Sequence, residues 1–69
     1  MLFKVKGIVK FCKQYGDKYR VIIQDKETNM LQTIYSNKSY NIGEEYEFTI
    51  YNKVMFDYLR GKFREWTLL

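Results

Sequence analysis

Phe3-Lys4-Val5-Lys6-Gly7-Ile8-Val9-Lys10-Phe11-Cys12-Lys13 is the stretch whose reading decides the fold. Its odd positions are Phe3, Val5, Gly7, Val9 and Phe11, and its even positions carry Lys4, Lys6 and Lys10 around Ile8. Alternation with a period of two predicts a β-strand with one apolar and one basic face. Gly7 lies in the middle of the apolar face. A glycine inside a strand pattern marks a bulge or a sharp bend. A long strand bent at its centre can serve two sheets at once, and that is how a small barrel closes.

Outward from this stretch, the remaining sequence divides into four more strands. Gln14-Tyr15-Gly16-Asp17-Lys18 reads as a turn, since Gly and Asp tolerate positive φ. The second strand runs from Tyr19 to Lys26, and its Val21-Ile22-Ile23 run predicts a central strand covered in part on both sides. Asp25 to Asn29 is a polar turn, followed by a third strand over Met30 to Ser36 with Ile34 inward and Tyr35 outward. A loop follows from Asn37 to Gly43, too short for a well-formed helix. The fourth strand begins at Glu44 or Glu45 and alternates Tyr46, Phe48 and Ile50 inward against Glu45, Glu47 and Thr49. Tyr51 to Lys62 admits two readings: a continued strand turning at Arg60-Gly61, or a loop or short helical turn over Val54 to Leu59. Phe63 to Leu69 is the last strand. The expected core is Phe3, Val5, Val9, Phe11, Val21, Ile23, Phe48, Ile50 and Trp66.

The 69 residues form a single domain, near the lower size limit for independent folding. An aromatic content of 19% lets so small a core bury enough area to fold, and argues against disorder. With one cysteine, Cys12, and no histidine, an intrachain disulfide and a cysteine-based metal site are excluded, and the commonest metal ligand and general base is missing. No metal and no cofactor is expected. No long apolar run suggests a signal peptide or a membrane span, so a cytoplasmic, reducing compartment is the expectation. The abundance of Lys, Asn, Ile, Tyr and Phe, whose codons are rich in A and T, hints at an AT-rich bacterium or its phage or plasmid.

Five short strands separated by turn signals predict an all-β, five-stranded antiparallel barrel. The order and lengths resemble the OB-fold: a long glycine-bent first strand, a meander to the third, a connecting segment and a final hairpin. The run Asn41-Ile42-Gly43-Glu44-Glu45-Tyr46-Glu47-Phe48 is similar to the lead-in to the fourth strand of many OB-fold proteins. The helix usual between the third and fourth strands has no counterpart here, which keeps a Src-homology-type barrel as the alternative. The resemblance implies binding of oligonucleotides through strands two and three and the adjoining loops.

The net charge of +4 is unevenly spread. Residues 1–26 hold seven Lys/Arg against two Asp, residues 27–57 are acidic, and the C-terminal stretch is basic again. Single-strand binders combine a basic groove for phosphates with exposed rings that stack on bases. Lys4, Lys6, Lys10, Lys13, Arg20, Arg60, Lys62 and Arg64 are candidates for the first role. Tyr15, Tyr35, Phe56 and Tyr58 are candidates for the second, with Tyr40 and Tyr51 also on outward or turn positions. Half-buried strand tyrosines and ordinary solubility charge account for the same residues without a ligand. Catalysis finds little support: Glu45 and Glu47 share a strand face, but nothing converges on them, and Cys12 beside Lys13 reads as a bystander. The expected function is therefore a non-catalytic module for single-stranded DNA or RNA. The alternative is a small phage- or plasmid-type protein-interaction module, such as an inhibitor that caps a host or replication protein through Val54-Met55-Phe56 and Tyr58-Leu59.

Overall fold

The computed structural model describes residues 2–68. They form five strands: β1 (Leu2–Tyr15), β2 (Lys18–Asp25), β3 (Leu31–Ser36), β4 (Glu45–Asp57) and β5 (Gly61–Leu68). No helix is present among the described residues, and so none is long and apolar enough to cross a membrane. The strands close into a ring in the order β1-β2-β3-β5-β4, with β4 returning to β1.

β1 holds the ring together because it pairs on both of its edges. Leu2 to Ile8 face β4, from Leu2↔Tyr51 to Ile8↔Glu45, while Gly7 to Tyr15 face β2, from Gly7↔Asp25 to Tyr15↔Lys18. Gly7 and Ile8 belong to both ladders. A Cβ on Gly7 would lie 3.1 Å from the Gln24 carbonyl oxygen, 3.1 Å from Ile23 Cδ1 and 3.2 Å from Ile23 Cβ. The glycine therefore permits a close approach of β1 to β2 at the point where the strand changes partners.

The register shifts between Val9 and Phe11, leaving Lys10 as an extra residue in a β-bulge. On its other edge β1 extends its contact past Ile8↔Glu45: the Val9 N–H donates to the Glu44 carbonyl at 3.0 Å, and the Val9 carbonyl accepts from the Gly43 N–H at 2.8 Å. The bulge reverses the facing of every later residue in β1. Cys12 turns toward the core, and Phe11, expected inside, turns out and is 37% exposed. Phe3, also expected inside, lies beyond the rim of the core, 42% exposed and edge-on to Trp66 with ring centroids 5.4 Å apart.

The expected all-antiparallel arrangement is corrected at one junction. β3 and β5 pair in parallel, through the single bridge Tyr35↔Thr67, while the other four neighbouring pairs are antiparallel. The reason is arithmetic: strands that alternate in direction around a ring with an odd number of members must leave one parallel pair.

The buried core is Val9, Val21, Ile23, Ile34, Phe48 and Ile50, with Val5, Cys12, Tyr19, Tyr40, Tyr46, Trp66 and Leu68 packed around it. Ile34 is inward and Tyr35 outward, as the sequence suggests. The loop after β3 contains no helix. Tyr40 instead closes that end of the ring, its ring edge-on to Phe48 at 5.1 Å and to Tyr46 at 4.9 Å, with its N–H directed at Cys12 Sγ at 3.4 Å. Ile23 is fully buried. Ile23→Ala is expected to cost about 3 kcal/mol in urea unfolding, a large share of the stability of so small a domain.

Of the two readings of residues 51–62, the structure takes the continued strand. β4 and β5 form a long hairpin from Ile50↔Leu68 to Asp57↔Gly61. Its turn is built locally. Asp57 Oδ1 accepts from the Leu59 N–H at 2.8 Å and the Arg60 N–H at 3.3 Å, and Gly61 has φ 72°, a backbone state that favours glycine.

Candidate nucleic-acid interface

Directly opposed residues in neighbouring strands share a face. On the outer face, the pairings align Lys13, Arg20, Tyr35 and Thr67 in one row across β1, β2, β3 and β5. A second row joins Phe11, Ile22 and Thr33, and a third joins Tyr15 and Lys18 at the mouth of the β1–β2 turn. The bulge at Lys10 brings Phe11, Lys13 and Tyr15 onto this face.

Because β3 and β5 share only one bridge, a groove opens beside it. Its volume is about 500 Å³, and it runs between Arg20, Ile22, Thr33 and Tyr35 on one side and Arg60, Phe63, Arg64, Glu65 and Trp66 on the other. The Arg60 guanidinium lies 3.9 Å from the centroid of Phe63. The Arg20 guanidinium and the Lys18 ammonium each lie 5.5 Å from a ring, of Tyr15 and Tyr35 respectively. These are cation–π distances, and they hold each cation beside an aromatic surface. Lys18 also pairs with Glu65 at 3.1 Å, which ties β2 to β5 across the groove. Arg20 Nε is buried without a hydrogen-bond partner.

The other anticipated residues lie elsewhere. Lys4 and Lys6 sit on the β1–β4 flank, opposite Thr49 and Glu47, where they line a separate cleft with Asp25, Lys26, Glu27 and Glu47. Lys10 is the exposed bulge residue. Phe56 pairs with Lys62, and Val54 with Arg64, on the hairpin face opposite Met55 and Phe63. Tyr58 occupies the turn and is 95% exposed. Six of the anticipated residues, Lys13, Tyr15, Arg20, Tyr35, Arg60 and Arg64, thus gather at the outer face or its groove. Phe11, Lys18, Ile22 and Phe63 join them without having been singled out for binding, as does Trp66, which was placed in the core. Phe63 was legible once the turn at Arg60-Gly61 is accepted, since that turn sets the facing of β5. Phe11 was not, because Gly7 suggests a bulge or a bend without placing it at Lys10.

The acidic stretch forms no site. Glu45 pairs with Lys26 at 2.9 Å, and Glu44 accepts from the Tyr46 hydroxyl at 2.8 Å. That bond raises the Tyr46 pKa, because ionisation would lose the donor and set two negative charges together. No group of three or more potential metal ligands assembles among the described residues. Asp57 has its pKa lowered by the N–H groups of Leu59 and Arg60, which favour the carboxylate. A depressed folded-state pKa contributes order that is complete above the ordinary value of 3.8 and lost as pH falls through the lower value. Acid titration is expected to loosen the β4–β5 turn before the core, with the Leu59 and Arg60 amide shifts moving first.

Comparison with protein-family models, curated proteins and solved structures gives no match, so the functional argument rests on this geometry.

Proposed function

We propose that this domain is an OB-type barrel that binds single-stranded nucleic acid, without catalysis, along the groove between β3 and β5. The strand order supports the fold reading. A simple meander would put β4 beside β3, whereas here the β4–β5 hairpin inserts between β3 and β1, in keeping with a Greek-key barrel. One observation carries the functional reading: Arg20, Tyr35, Arg60, Phe63, Arg64 and Trp66 converge on one groove, and its one carboxylate, Glu65, is paired with Lys18. Phosphates would take the guanidinium groups and bases the ring faces. The β4–β5 turn contributes Arg60 to the groove, and the corresponding loop of OB-folds helps to hold oligonucleotides.

Salt dependence tests the reading. Fluorescence anisotropy with a labelled oligonucleotide should show affinity falling by about 0.7 log units per log unit of salt for each phosphate neutralised. Arg20→Gln with Arg64→Gln should reduce that slope by about one to two, whereas Lys4→Gln with Lys6→Gln should leave it nearly unchanged. The opposite ranking would move the contact surface to the β1–β4 flank. Absence of binding at low salt would remove the proposal.

A protein-binding role has its own observation. Phe56, Tyr58 and Leu59 are 73%, 95% and 93% exposed at the end of the β4–β5 hairpin, more apolar surface than a turn requires. Phe56→Ala with Tyr58→Ala should leave oligonucleotide affinity unchanged in this second reading and abolish association with the protein partner.

A further inference from the structure

Among the described residues, β1 accompanies β4 only as far as Leu2↔Tyr51. From Lys53 to Asp57, β4 pairs with β5 on one side, and its other edge has no strand neighbour among the described residues. Such an edge presents a row of free N–H and C=O groups, which natural sheets blunt with proline, bulges or inward charges. Lys53-Val54-Met55-Phe56-Asp57 has no proline or bulge, and its edge charges, Lys53 and Asp57, are of opposite sign. Val54 and Phe56 are exposed on one face, and Met55 is half-buried on the other.

We propose that this edge pairs with the same edge of a second copy of the chain, antiparallel about a two-fold axis at Met55. Closed two-fold contacts use one patch twice, so the segment must complement itself. Side chains across an antiparallel pair share a face, which restricts the axis to pass through a residue rather than between two. With the axis at Met55, Lys53 of each chain faces Asp57 of the other, and Val54 faces Phe56. Both unlike charges and the apolar pair are thereby matched twice, and Met55 meets its own copy. With the axis at Val54, Lys53 would face Met55 and Asn52 would face Phe56, matching neither. The far edge of the hairpin does not complement itself: about Phe63, Lys62 would face Arg64, and about Arg64 two guanidinium groups would meet. Met55, Phe56 and Asp57 also line a cavity with Arg20, Tyr35, Arg60 and Phe63, so the two-fold contact adjoins the groove, and its test is made without nucleic acid.

The test is sedimentation equilibrium on the intact domain, with no nucleic acid present. The expected mass rises with concentration from 8.5 kDa to twice that value and no further. Lys53→Glu sets like charges opposite each other twice and should weaken association about tenfold. Adding Asp57→Asn, which keeps an oxygen for the turn, should restore most of the loss. A cross-link locates the axis. In a Cys12→Ser background, Met55→Cys should oxidise to a covalent dimer, since directly opposed residues fall within disulfide reach. Lys53→Cys, which faces a different residue, should not. A monomer at all concentrations overturns the proposal, as does a mass that grows beyond two chains, a hetero-complex formed in place of the self-dimer, or equal cross-linking at both positions.

Discussion

Gly7→Val should cost about 3 kcal/mol of stability despite valine's higher strand propensity. The first added carbon alone would sit 3.1 Å from the Gln24 carbonyl oxygen and from Ile23 Cδ1. One of these is backbone, held by the β2–β3 ladder, and the other belongs to a fully buried side chain. Neither can withdraw without opening the junction at which β1 passes from β4 to β2. Gly7→Ala should cost less, because only one carbon must be fitted, and the difference between the two variants isolates the steric part from the change in backbone entropy. Urea unfolding of the three proteins supplies the measurement. Valine as stable as the parent would mean that β1 and β2 can separate freely at Gly7, and that the ring does not depend on their close approach.

The same junction explains what the sequence discloses and what it hides. The alternations of β1 and β4 are legible because each strand keeps one face on the core, so Val9, Phe48 and Ile50 fall where the pattern places them. The turns are legible because Gly16 and Gly61 take positive φ, and Asp25 and Asp57 accept from the amides that follow them. The bulge at Lys10 is hidden. It sits in the β1–β2 ladder, and Gly7 suggests a bulge or a bend without placing it there. Hence Phe11 was read as core and found outside. The distribution of charge is hidden for a related reason. Lys4, Lys6 and Arg20 are close in sequence, but β1 divides between two flanks at Gly7, and the lysines travel with β4 while Arg20 stays with β3. A linear basic cluster is thus separated, and the groove is assembled from β2, β3 and β5, whose proximity only the ring order reveals.

The largest expected effect on binding is that of removing the two rings on either side of the groove. Tyr35 stands on β3 with Lys18 near its ring, and Phe63 on β5 with Arg60 against its ring. If each accepts one base, Tyr35→Ala with Phe63→Ala should weaken oligonucleotide binding by about 2–6 kcal/mol at fixed salt, since a single stack contributes about 1–3 kcal/mol. The loss should fall on affinity rather than on the salt slope, because no cation is removed. Both side chains are only half-buried and lie outside the core, so the thermal midpoint should move little. Tyr35→Phe provides the internal control: it keeps the ring and deletes the hydroxyl, and near-parental affinity would assign the effect to stacking. A loss as large in Tyr35→Phe would instead assign it to a hydrogen bond from the hydroxyl. Tyr58→Ala with Leu59→Ala, at the exposed turn of the same hairpin, should leave affinity nearly unchanged. If that pair proves the more damaging, nucleic acid follows the exposed hairpin end and not the groove, and Arg20 with Arg64 would lose its place as the phosphate-binding pair.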